Sequence, residues 1–316
     1  MFYAYYYFLC IKFTMKKYFY MIPILLIIYF STLNLKDKKV EAKKKPYTEL
    51  KESINVKVLV NDTTEEMKIN DYIIGVVSCE MPALFNIEAL KAGAVAARTF
   101  YYYNYGIFEN YVAKNSDQCF ITIDKMKENW KDNYEEYYNK IKNAVLSTDN
   151  EVVTYDDKII HSYYFSMSNG YTENAMNVFK ENEPYLKSVT SLWEKNLNNY
   201  EKTLSVSVDE FKKKLNITDK NINVYIKSRF DSGRVNEFVV NSKIFEGTLV
   251  RKLFNLRSAD FDFSIENDLV TFTTRGYGHG VGMSQYGANE MAKSGYKYDE
   301  ILKYYYTGTK ILKSYV

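Results

Sequence analysis

The chain has 316 residues, of which 47% are hydrophobic, so it is long enough to bury one large core or two modest ones. Its formal net charge is +3 and its pI is near 8.4, which excludes the strongly basic, clustered surface typical of a nucleic-acid-binding domain. The 32 tyrosines and 19 phenylalanines fit either a codon-biased genome or aromatic rings that stack on sugars in a carbohydrate cleft.

The N-terminal segment predicts a membrane anchor. An apolar run from Tyr18 to Leu35 would reach roughly 27 Å as a helix, which is close to one hydrocarbon thickness. No small-residue cleavage site follows the run, so we expect an uncleaved single-pass anchor over residues 1–35 rather than a removable signal peptide. Residues 36–48 are a basic tether, and residues 49–316 are expected to form one domain outside the cytoplasm.

The domain begins with a predicted strand and helix. Residues 55–60, NVKVLV, alternate as a strand does, and Asn61-Asp62 is typical of a turn. Asn70 is expected to cap a short helix with one apolar face. Pro82 disfavours the helical conformation of the residue before it, so this helix should end near Glu80.

A longer helix follows over residues 87–105, with Asn86 as its predicted cap. A stripe of alanines and Gly93 runs along it at helical spacing, which favours close packing against another backbone. Arg98 follows this stripe and interrupts its apolar character. The sequence leaves two roles open for Arg98: a structural brace or ion-pair partner, or a ligand for the substrate.

The middle of the chain mixes helical and strand patterns. Residues 132–147 are helix-like, and two strands are expected around the turn Asp156-Asp157. A loop rich in Ser, Asn and Gly covers residues 166–172. Residues 194–275 predict a β-rich subdomain, in which VSVDEF, VYIKSRF and EFVV are strands and GTLVRKLFNL is a short helix.

The C-terminal part contains the stretch RGYGHGVGMSQYG. Four glycines surround His279 and permit backbone conformations that other residues resist, so packing alone does not explain this histidine. Ser284 is expected to cap a helix that ends near Gly295. Asp299 is expected to begin a last, aromatic helix.

Several chemistries are poorly supported. GYGHGVG lacks the Lys-Ser/Thr of a phosphate-binding loop, and GMSQYG does not fit a nucleophile elbow. A thiol protease using Cys119 and His279 stays open, whereas His161 lies in an apolar run and is expected in the core.

The cysteines at positions 10, 79 and 119 are scattered, which argues against a zinc site. Cys79 and Cys119 are either a disulfide or two buried thiols.

Glu80 is the strongest candidate for catalysis. A free glutamate has a pKa of about 4.3 and carries no proton to donate at neutral pH. Apolar neighbours and a helix C-terminus both disfavour the ionised form, so they raise the pKa towards the range that a general acid needs. Because no Lys or Arg lies between Glu80 and Lys91, neighbours in the sequence do not reverse this effect.

Four blocks of the sequence resemble the stage II sporulation protein D family. They are DYIIGVVSCEMP, EALKAGAVAARTF, YYFSMSNGYTENAMNVF with PYLKSV, and GHGVGMSQYGANEMAKSGYKYDEILKYYYTGTKI, which occur in order over about residues 70–310. One departure is that SMSNGYT has Asn169 in the first place of a more usual double glycine.

The resemblance implies a membrane-anchored lytic transglycosylase that cuts peptidoglycan glycan strands, with Glu80 as its catalytic acid and base. It also implies two partners in forespore engulfment, the sporulation amidase/endopeptidase protein P and the membrane protein M. The location would be the mother-cell membrane, with the catalytic domain facing the engulfment septum. Some relatives hold zinc near the block that matches DQCFI, but Cys119 has no nearby companion here, so we expect neither metal nor cofactor.

A lytic transglycosylase needs only one carboxyl group, whereas most glycosidases use two. Substrate contacts are expected from polar and aromatic residues around the cleft: Arg98, Tyr163, Ser166, Tyr171, Thr172, His279 and Gln285. We expect an α+β fold, in which an N-terminal transmembrane helix precedes a mixed helix/sheet catalytic domain. Its central cleft would lie between the helical part with Glu80 and a β-rich part from the middle of the chain.

Two other functions remain open. Similar domains occur in proteins that bind the wall and enhance an amidase without cutting the glycan themselves. The chain is alternatively a scaffold, in which the anchor and the tether recruit partners.

Overall fold

The computed structural model describes residues 55–107 and 110–313. The predicted anchor at residues 1–35 and the predicted tether at residues 36–48 lie outside the described residues. Within the described part of the chain, no helix is both long enough and apolar enough for a membrane span.

The described chain is a mixed α and β structure with several small sheets, as the sequence predicts. The helices are α1 (Ile69–Glu80), α2 (Ile87–Ile107), α3 (Ile123–Trp130), α4 (Tyr134–Ser147), α5 (Ala175–Phe179), α6 (Val208–Lys214), α7 (Gly247–Phe254), α8 (Gln285–Lys293) and α9 (Tyr298–Tyr305). The strands are β1 (Asn55–Val60), β2 (Thr63–Lys68), β3 (Val112–Ala113), β4 (Glu151–Tyr155), β5 (Lys158–Ile159), β6 (Tyr164–Phe165), β7 (Glu201–Ser207), β8 (Val224–Arg229), β9 (Val235–Val240), β10 (Lys243–Glu246), β11 (Phe261–Glu266), β12 (Leu269–Arg275), β13 (Met283–Ser284) and β14 (Lys310–Lys313). The sheets have the strand orders β2-β1-β3, β10-β9-β8, β11-β12-β7, β13-β6 and β14-β4-β5.

The two hairpins predicted from polar turns are present. Asn61 and Asp62 connect β1 to β2 with φ angles of 46° and 65°, and Asp156 and Asp157 connect β4 to β5 with φ angles of 47° and 57°. Two consecutive residues with positive φ match the twist of the flanking strands, and Asn and Asp tolerate that conformation best after glycine.

Helix α1 ends where the sequence predicts and begins earlier. Its last residue is Glu80, and Met81 is extended (φ −124°, ψ 136°) because Pro82 follows. The helix begins at Ile69, and its N-cap is Lys68, so the predicted cap at Asn70 is wrong. The Asn70 amide instead donates to Asp149 Oδ1 at 2.8 Å, a partner 79 residues away that local sequence could not reveal.

Helix α2 is the centre of the larger hydrophobic core. Its cap is confirmed, since Asn86 Oδ1 accepts from the Glu88 amide at 3.0 Å. The predicted small-residue stripe is buried, and it allows α2 to contact α1, α4, α8 and α9. Gly93 lies against Met81, whose Sδ would be 2.2 Å from an added Cβ. The small side chains therefore bring the end of α1, and with it Glu80, close to the axis of α2.

The strands β7 to β12 enclose a second hydrophobic cluster with α6 and α7. Five phenylalanines fill it: Phe211, Phe238, Phe254, Phe261 and Phe272. The predicted strands VYIKSRF and EFVV and the predicted helix GTLVRKLFNL are present. The prediction that VSVDEF is a single strand is wrong, because β7 ends at Ser207 and the Ser207 hydroxyl caps α6 by accepting from the Glu210 amide at 3.1 Å. The domain boundaries at residues 194 and 275 stay a prediction.

Arg98 is a buried brace. Its side chain is completely inaccessible to solvent. The guanidinium donates to the carbonyl oxygens of Thr148 (2.8 Å), Glu151 (3.2 Å) and Val145 (3.2 Å), which lie at the end of α4 and the start of β4. The Val145 and Thr148 carbonyls also accept from the Thr148 and Glu151 amides, so the fixed fork of N–H donors on Arg98 adds a further hydrogen bond to each.

We expect Arg98→Met to lower the free energy of unfolding by about 3 kcal/mol or more, because three buried hydrogen bonds from a charged donor are lost, each contributing roughly 1.5–3 kcal/mol. Chemical denaturation of the full-length chain measures this loss. Arg257→Met is the matched control, since the Arg257 guanidinium donates to a single carbonyl, that of Asn199, at the surface. Equal losses in the two variants would contradict the bracing role.

Candidate active site

Glu80 lies in a small pocket at the C-terminal end of α1. One carboxylate oxygen, Oε1, accepts from the main-chain amide of Cys119 at 2.8 Å, and the other, Oε2, accepts from Gln285 Nε2 at 3.3 Å. The other lining residues are Val76, Val77, Met81, Gly93, Ala97, Tyr164 and Met283. Neither partner is charged, and among the residues that the structure describes no second carboxyl group lines this pocket.

Burial raises the pKa of the Glu80 carboxyl above its ordinary value. The hydrogen bonds from Cys119 and Gln285 act in the opposite direction but are the smaller causes. The raised pKa agrees with the prediction from sequence, and its main cause is the loss of hydration of the carboxylate on burial. Arg98 does not reach this carboxyl, because its guanidinium is used at the end of α4. Among the described residues no lysine or arginine contributes to the shift.

Gln285 is brought to Glu80 by a short parallel sheet. Strand β13 pairs with β6, and the Tyr286 amide donates to the Ser166 carbonyl at 3.0 Å. Helix α8 then begins at Gln285, which is nearly buried. Its predicted cap is confirmed, since Ser284 Oγ accepts from the Gly287 amide at 3.2 Å. Two predicted residues, Gln285 and Ser166, therefore lie on elements that meet beside Glu80.

A carboxyl group that the sequence analysis did not single out supports this helix. Glu194 is completely buried and accepts from Ser284 Oγ at 2.5 Å and from the Ser168 amide at 3.1 Å. Burial raises its pKa. Gly287 makes this contact possible, because an added Cβ would lie 2.8 Å from Glu194 Oε1. The Glu194 carboxyl thus fixes the start of α8 and, through it, the amide of Gln285.

A chain of neutral hydrogen bonds leads away from the pocket. Gln118 Nε2 donates to the Tyr164 hydroxyl at 2.8 Å, and the Tyr72 hydroxyl donates to Gln118 Oε1 at 3.3 Å. Burial and the charge of Glu80 raise the pKa of Tyr164 well above its ordinary value, so the phenol stays protonated. Sequence reasoning missed Tyr164 and Gln118. The available signal was period-two alternation, which places Tyr164 on the same face of its strand as the predicted Ser166.

Tyr163, the residue before β6, meets His279. Their ring centroids are 5.9 Å apart, and Phe179 lies against both. The Tyr163 hydroxyl donates to Glu181 Oε1 at 3.0 Å. Burial, reinforced by Arg251, lowers the pKa of His279 to about 3, so the imidazole is neutral at physiological pH. This pair forms an aromatic cluster separate from the residues that contact the Glu80 carboxylate.

Two predicted substrate contacts conflict with the structure. Arg98 is buried at the end of α4, as described above. Thr172 is also completely buried, and its hydroxyl both donates to the Lys187 carbonyl and accepts from the Val189 amide. Neither side chain has surface to offer a glycan, so we do not place them in the site. Tyr171, by contrast, is 41% exposed.

The loop SMSNGYT connects the site to the β-rich segment. Asn169 does not have a positive φ, so asparagine occupies the first place of the usual double glycine without strain. The side-chain amide of Asn169 donates to the Ser232 carbonyl and to Asp260 Oδ2, both at 2.8 Å. Only the second place, Gly170 with φ 118°, requires glycine.

The sequence predicts a cleft between Glu80 and the β-rich part of the chain. The pocket of Glu80 lies elsewhere, because no residue from 194–275 lines it.

Cys79 and Cys119 form a disulfide, with their Cα atoms 5.6 Å apart, which resolves the alternative left open by the sequence. The sulfur of Cys119 is therefore bonded and is not a free thiolate that could bind zinc. In the described ranges, no group of three or more His, Cys, Asp or Glu side chains is arranged to hold a metal ion. The described residues therefore do not fit the zinc site that the resemblance suggested for part of the family.

Comparisons with known proteins identify relatives over most of the chain. The SpoIID family profile, described as "Stage II sporulation protein", matches residues 60–155. Stage II sporulation protein D of Bacillus subtilis (strain 168) is 40% identical over 276 residues, which cover 82% of this chain and 78% of that protein. The protein of the same name from Bacillus amyloliquefaciens is 40% identical over 267 residues, 79% of this chain and 76% of that protein. An amidase enhancer of Bacillus subtilis (strain 168) is 26% identical over 296 residues, 75% of this chain and 40% of that protein.

The raised pKa of Glu80 predicts a pH-dependent gain of stability in Glu80→Gln. Between the unfolded and the folded pKa, the folded wild type binds more protons than the unfolded chain, so its free energy of unfolding falls as the pH rises. That window begins at about 4.3, the pKa of an unfolded glutamate. Glutamine does not titrate, so thermal unfolding should show the variant gaining in Tm over the wild type as the pH rises from about 4 to about 7. A difference in Tm that is constant with pH would contradict the raised pKa.

Proposed function

Because this chain belongs to the stage II sporulation protein D family, we propose that it is a peptidoglycan lytic transglycosylase that acts in engulfment during sporulation. The reaction is cleavage of the bond between N-acetylmuramic acid and N-acetylglucosamine, with formation of a 1,6-anhydro ring. The observation that carries the proposal is the single, half-buried carboxyl of Glu80, which has a raised pKa and two neutral hydrogen-bond donors.

One carboxyl group is sufficient for both steps. Glu80 in its neutral form protonates the glycosidic oxygen as the bond to the muramyl C1 breaks. The carboxylate that results is stabilised by the Cys119 amide and the Gln285 side chain. It then accepts the proton of the muramyl C6 hydroxyl while that oxygen attacks C1 and closes the ring. Glu80 regains its proton and no water is consumed.

The groups beside Glu80 suit the charge that develops on the sugar. The positively charged, oxocarbenium-like state forms next to an anionic carboxylate, and the described residues place no competing cation there. Gln285 and Tyr164 are neutral, and their hydrogen-bonding atoms can orient sugar hydroxyl or acetamido groups. Ser166 and Tyr171 lie on the loop that follows β6, and Tyr163 and His279 form the aromatic cluster behind it. We assign these four to binding of the neighbouring sugars.

For the cellular setting, we propose the location and partners that the family suggests. The chain is anchored in the mother-cell membrane by its N-terminal segment, with the catalytic domain outside the cytoplasm facing the engulfment septum. Its partners are the sporulation amidase/endopeptidase protein P and the membrane protein M. The Cys79–Cys119 disulfide supports this location, because disulfides persist in oxidising, extracytoplasmic compartments.

The second candidate is a wall-binding enhancer of a partner amidase. It is favoured by the similarity to the amidase enhancer of Bacillus subtilis over 75% of this chain. An enhancer has no need for a protonated carboxyl group in a pocket, and this difference makes Glu80 the discriminating residue.

We expect the full-length chain to produce 1,6-anhydro ends from glycan strands that lack stem peptides, detected by mass spectrometry. Glu80→Gln should lower this activity by at least about 1000-fold, since glutamine can neither donate nor accept the transferred proton. Binding of the glycan should survive in Glu80→Gln. The control Glu128→Gln alters an exposed glutamate on α3 and should keep full activity.

Two results would overturn the proposal. If the wild type binds glycan and stimulates an amidase but never forms anhydro ends, the chain is an enhancer. If it does not bind glycan at all, it is a scaffold.

A further inference from the structure

Residues 118–122 lie along one face of α1, and we call them the strap. The ring of Phe120 stacks on Tyr72, with centroids 5.7 Å apart, and the Ile121 amide donates to the Gly75 carbonyl at 3.3 Å. Gly75 permits this approach, because an added Cβ would lie 2.3 Å from the Phe120 ring and 2.9 Å from the Ile121 oxygen. The strap therefore touches backbone as well as side chains of α1.

At the candidate catalytic residue, the strap is joined to α1 by a disulfide and by a hydrogen bond. Cys79 and Cys119 are joined by the disulfide, and Glu80 follows Cys79 directly. The same residue, Cys119, gives its main-chain N–H to Glu80 Oε1 at 2.8 Å. One covalent bond thus fixes the distance between the acid and one of its two hydrogen-bond donors.

We infer that the Cys79–Cys119 disulfide is a positioning element for Glu80, and that its reduction slows the reaction by releasing the strap from the carboxylate. This inference rests on the proposed function. It assigns to the two cysteines a role in catalysis, beyond holding the fold together.

The physical reason is the small number of donors. Among the described residues the ionised carboxylate has two donors, the Cys119 amide and Gln285 Nε2, in a pocket with largely apolar walls. Without the disulfide the strap is still held by the Ile121 hydrogen bond, by ring stacking and by the hydrogen bonds of the Gln118 side chain, but no covalent bond then fixes the Cys119 amide against Glu80. When the amide moves away, the carboxylate loses a donor that favours the charged form, so its pKa rises and it becomes less precisely oriented.

Within residues 55–107 and 110–313, no charged group replaces the Cys119 amide as a partner of Glu80. The titratable groups that face Glu80 are the phenols of Tyr164 on β6 and Tyr72 on α1. Burial raises the pKa of both phenols well above the ordinary value, so they are neutral over the working range of the site. Helix α8 presents the neutral amide of Gln285, and the strap presents its backbone. Reduction adds two thiols, at Cys79 and Cys119, and the variant with serine at both positions lacks them, so a shift that the two samples share is attributable to the lost amide.

The state of the cysteines is measured first. The chain has three cysteines, so full-length protein purified without reductant and denatured should take up one alkyl group, at Cys10, by intact mass. After dithiothreitol breaks the sulfur–sulfur bond, leaving two protein thiols and the cyclic disulfide of the reagent, it should take up three. Three groups before reduction would overturn the inference.

The decisive measurement is the pH profile of anhydro-end formation by the full-length chain. Reduction should lower kcat about tenfold, with KM changed less than about twofold. The limb on which activity falls with rising pH reports the acid, so it should move upward by about one pH unit. Cys79→Ser combined with Cys119→Ser should show the same profile and should not respond to reductant.

A purely structural role predicts a different result. If reduction only unfolds part of the protein, the activity falls by the same factor at every pH, and the pH values at which it declines do not change. That outcome would overturn the inference. If the double variant does not fold, one sample of the wild type is measured first after reduction and again after reoxidation. We expect reoxidation to restore the original pH profile.

A readout without turnover separates this inference from the proposed function. The ¹³C resonance of the Glu80 carboxyl, assigned by its loss in Glu80→Gln, should titrate at higher pH after reduction. If the wild type forms no anhydro ends but this shift occurs, the transglycosylase proposal fails and the positioning role stands. If the wild type is active and the resonance does not move, the positioning role is wrong.

Discussion

The site depends on keeping a carboxyl group in a small, largely apolar pocket without a cation. Burial of an unpaired carboxyl costs free energy unless hydrogen bonds offset part of it, and Glu80 has two such bonds, both from neutral donors. Each donor comes from a different part of the chain. The strap is bound to α1 by a disulfide, and Gln285 is the first residue of a helix capped by Ser284. Much of the surrounding structure can be understood as the means of holding these two donors in place.

The arginine of α2 is used away from the Glu80 carboxyl. Arg98 lies on α2, which packs closely against α1 through small residues, and its guanidinium donates to carbonyls at the end of α4 and the start of β4. Arg98 is therefore not among the groups that shift the pKa of Glu80. On the opposite side, Glu194 is a second buried carboxyl that accepts several hydrogen bonds and meets no arginine or lysine among the causes of its shift. The two carboxyls differ in access: Glu194 is sealed in the core, whereas Glu80 retains a partly open pocket.

Sequence patterns predicted what is locally determined. Pro82 ends α1 at Glu80, paired Asn and Asp residues form the hairpin turns, and Ser284 caps α8. The glycines around His279 have positive φ, and at Gly282 an added Cβ would lie 1.9 Å from the Tyr163 carbonyl, so close packing rather than phosphate binding explains the motif. The failures involve distant partners. Asp149 takes the amide of Asn70, burial removes Arg98 and Thr172 from the surface, and the chain from Tyr164 through Gln118 joins residues 46 positions apart. A single sequence contains no sign of these contacts.

In the proposed reaction, Glu80 serves first as acid and then as base because the substrate changes the electrostatics of the pocket. A sugar that covers Glu80 displaces water, which disfavours the charged form and keeps the proton on the carboxyl until it is transferred. Once the glycosidic bond breaks, a positive charge lies on the sugar beside the new carboxylate, so the ionised form becomes the favoured one. When the C6 oxygen closes the ring, that positive charge disappears, and the low polarity of the pocket again favours the neutral acid. The positive charge that forms and then disappears on the sugar therefore drives the proton off Glu80 and back again. A fixed charge on the protein beside Glu80 would favour one of these two proton transfers and oppose the other.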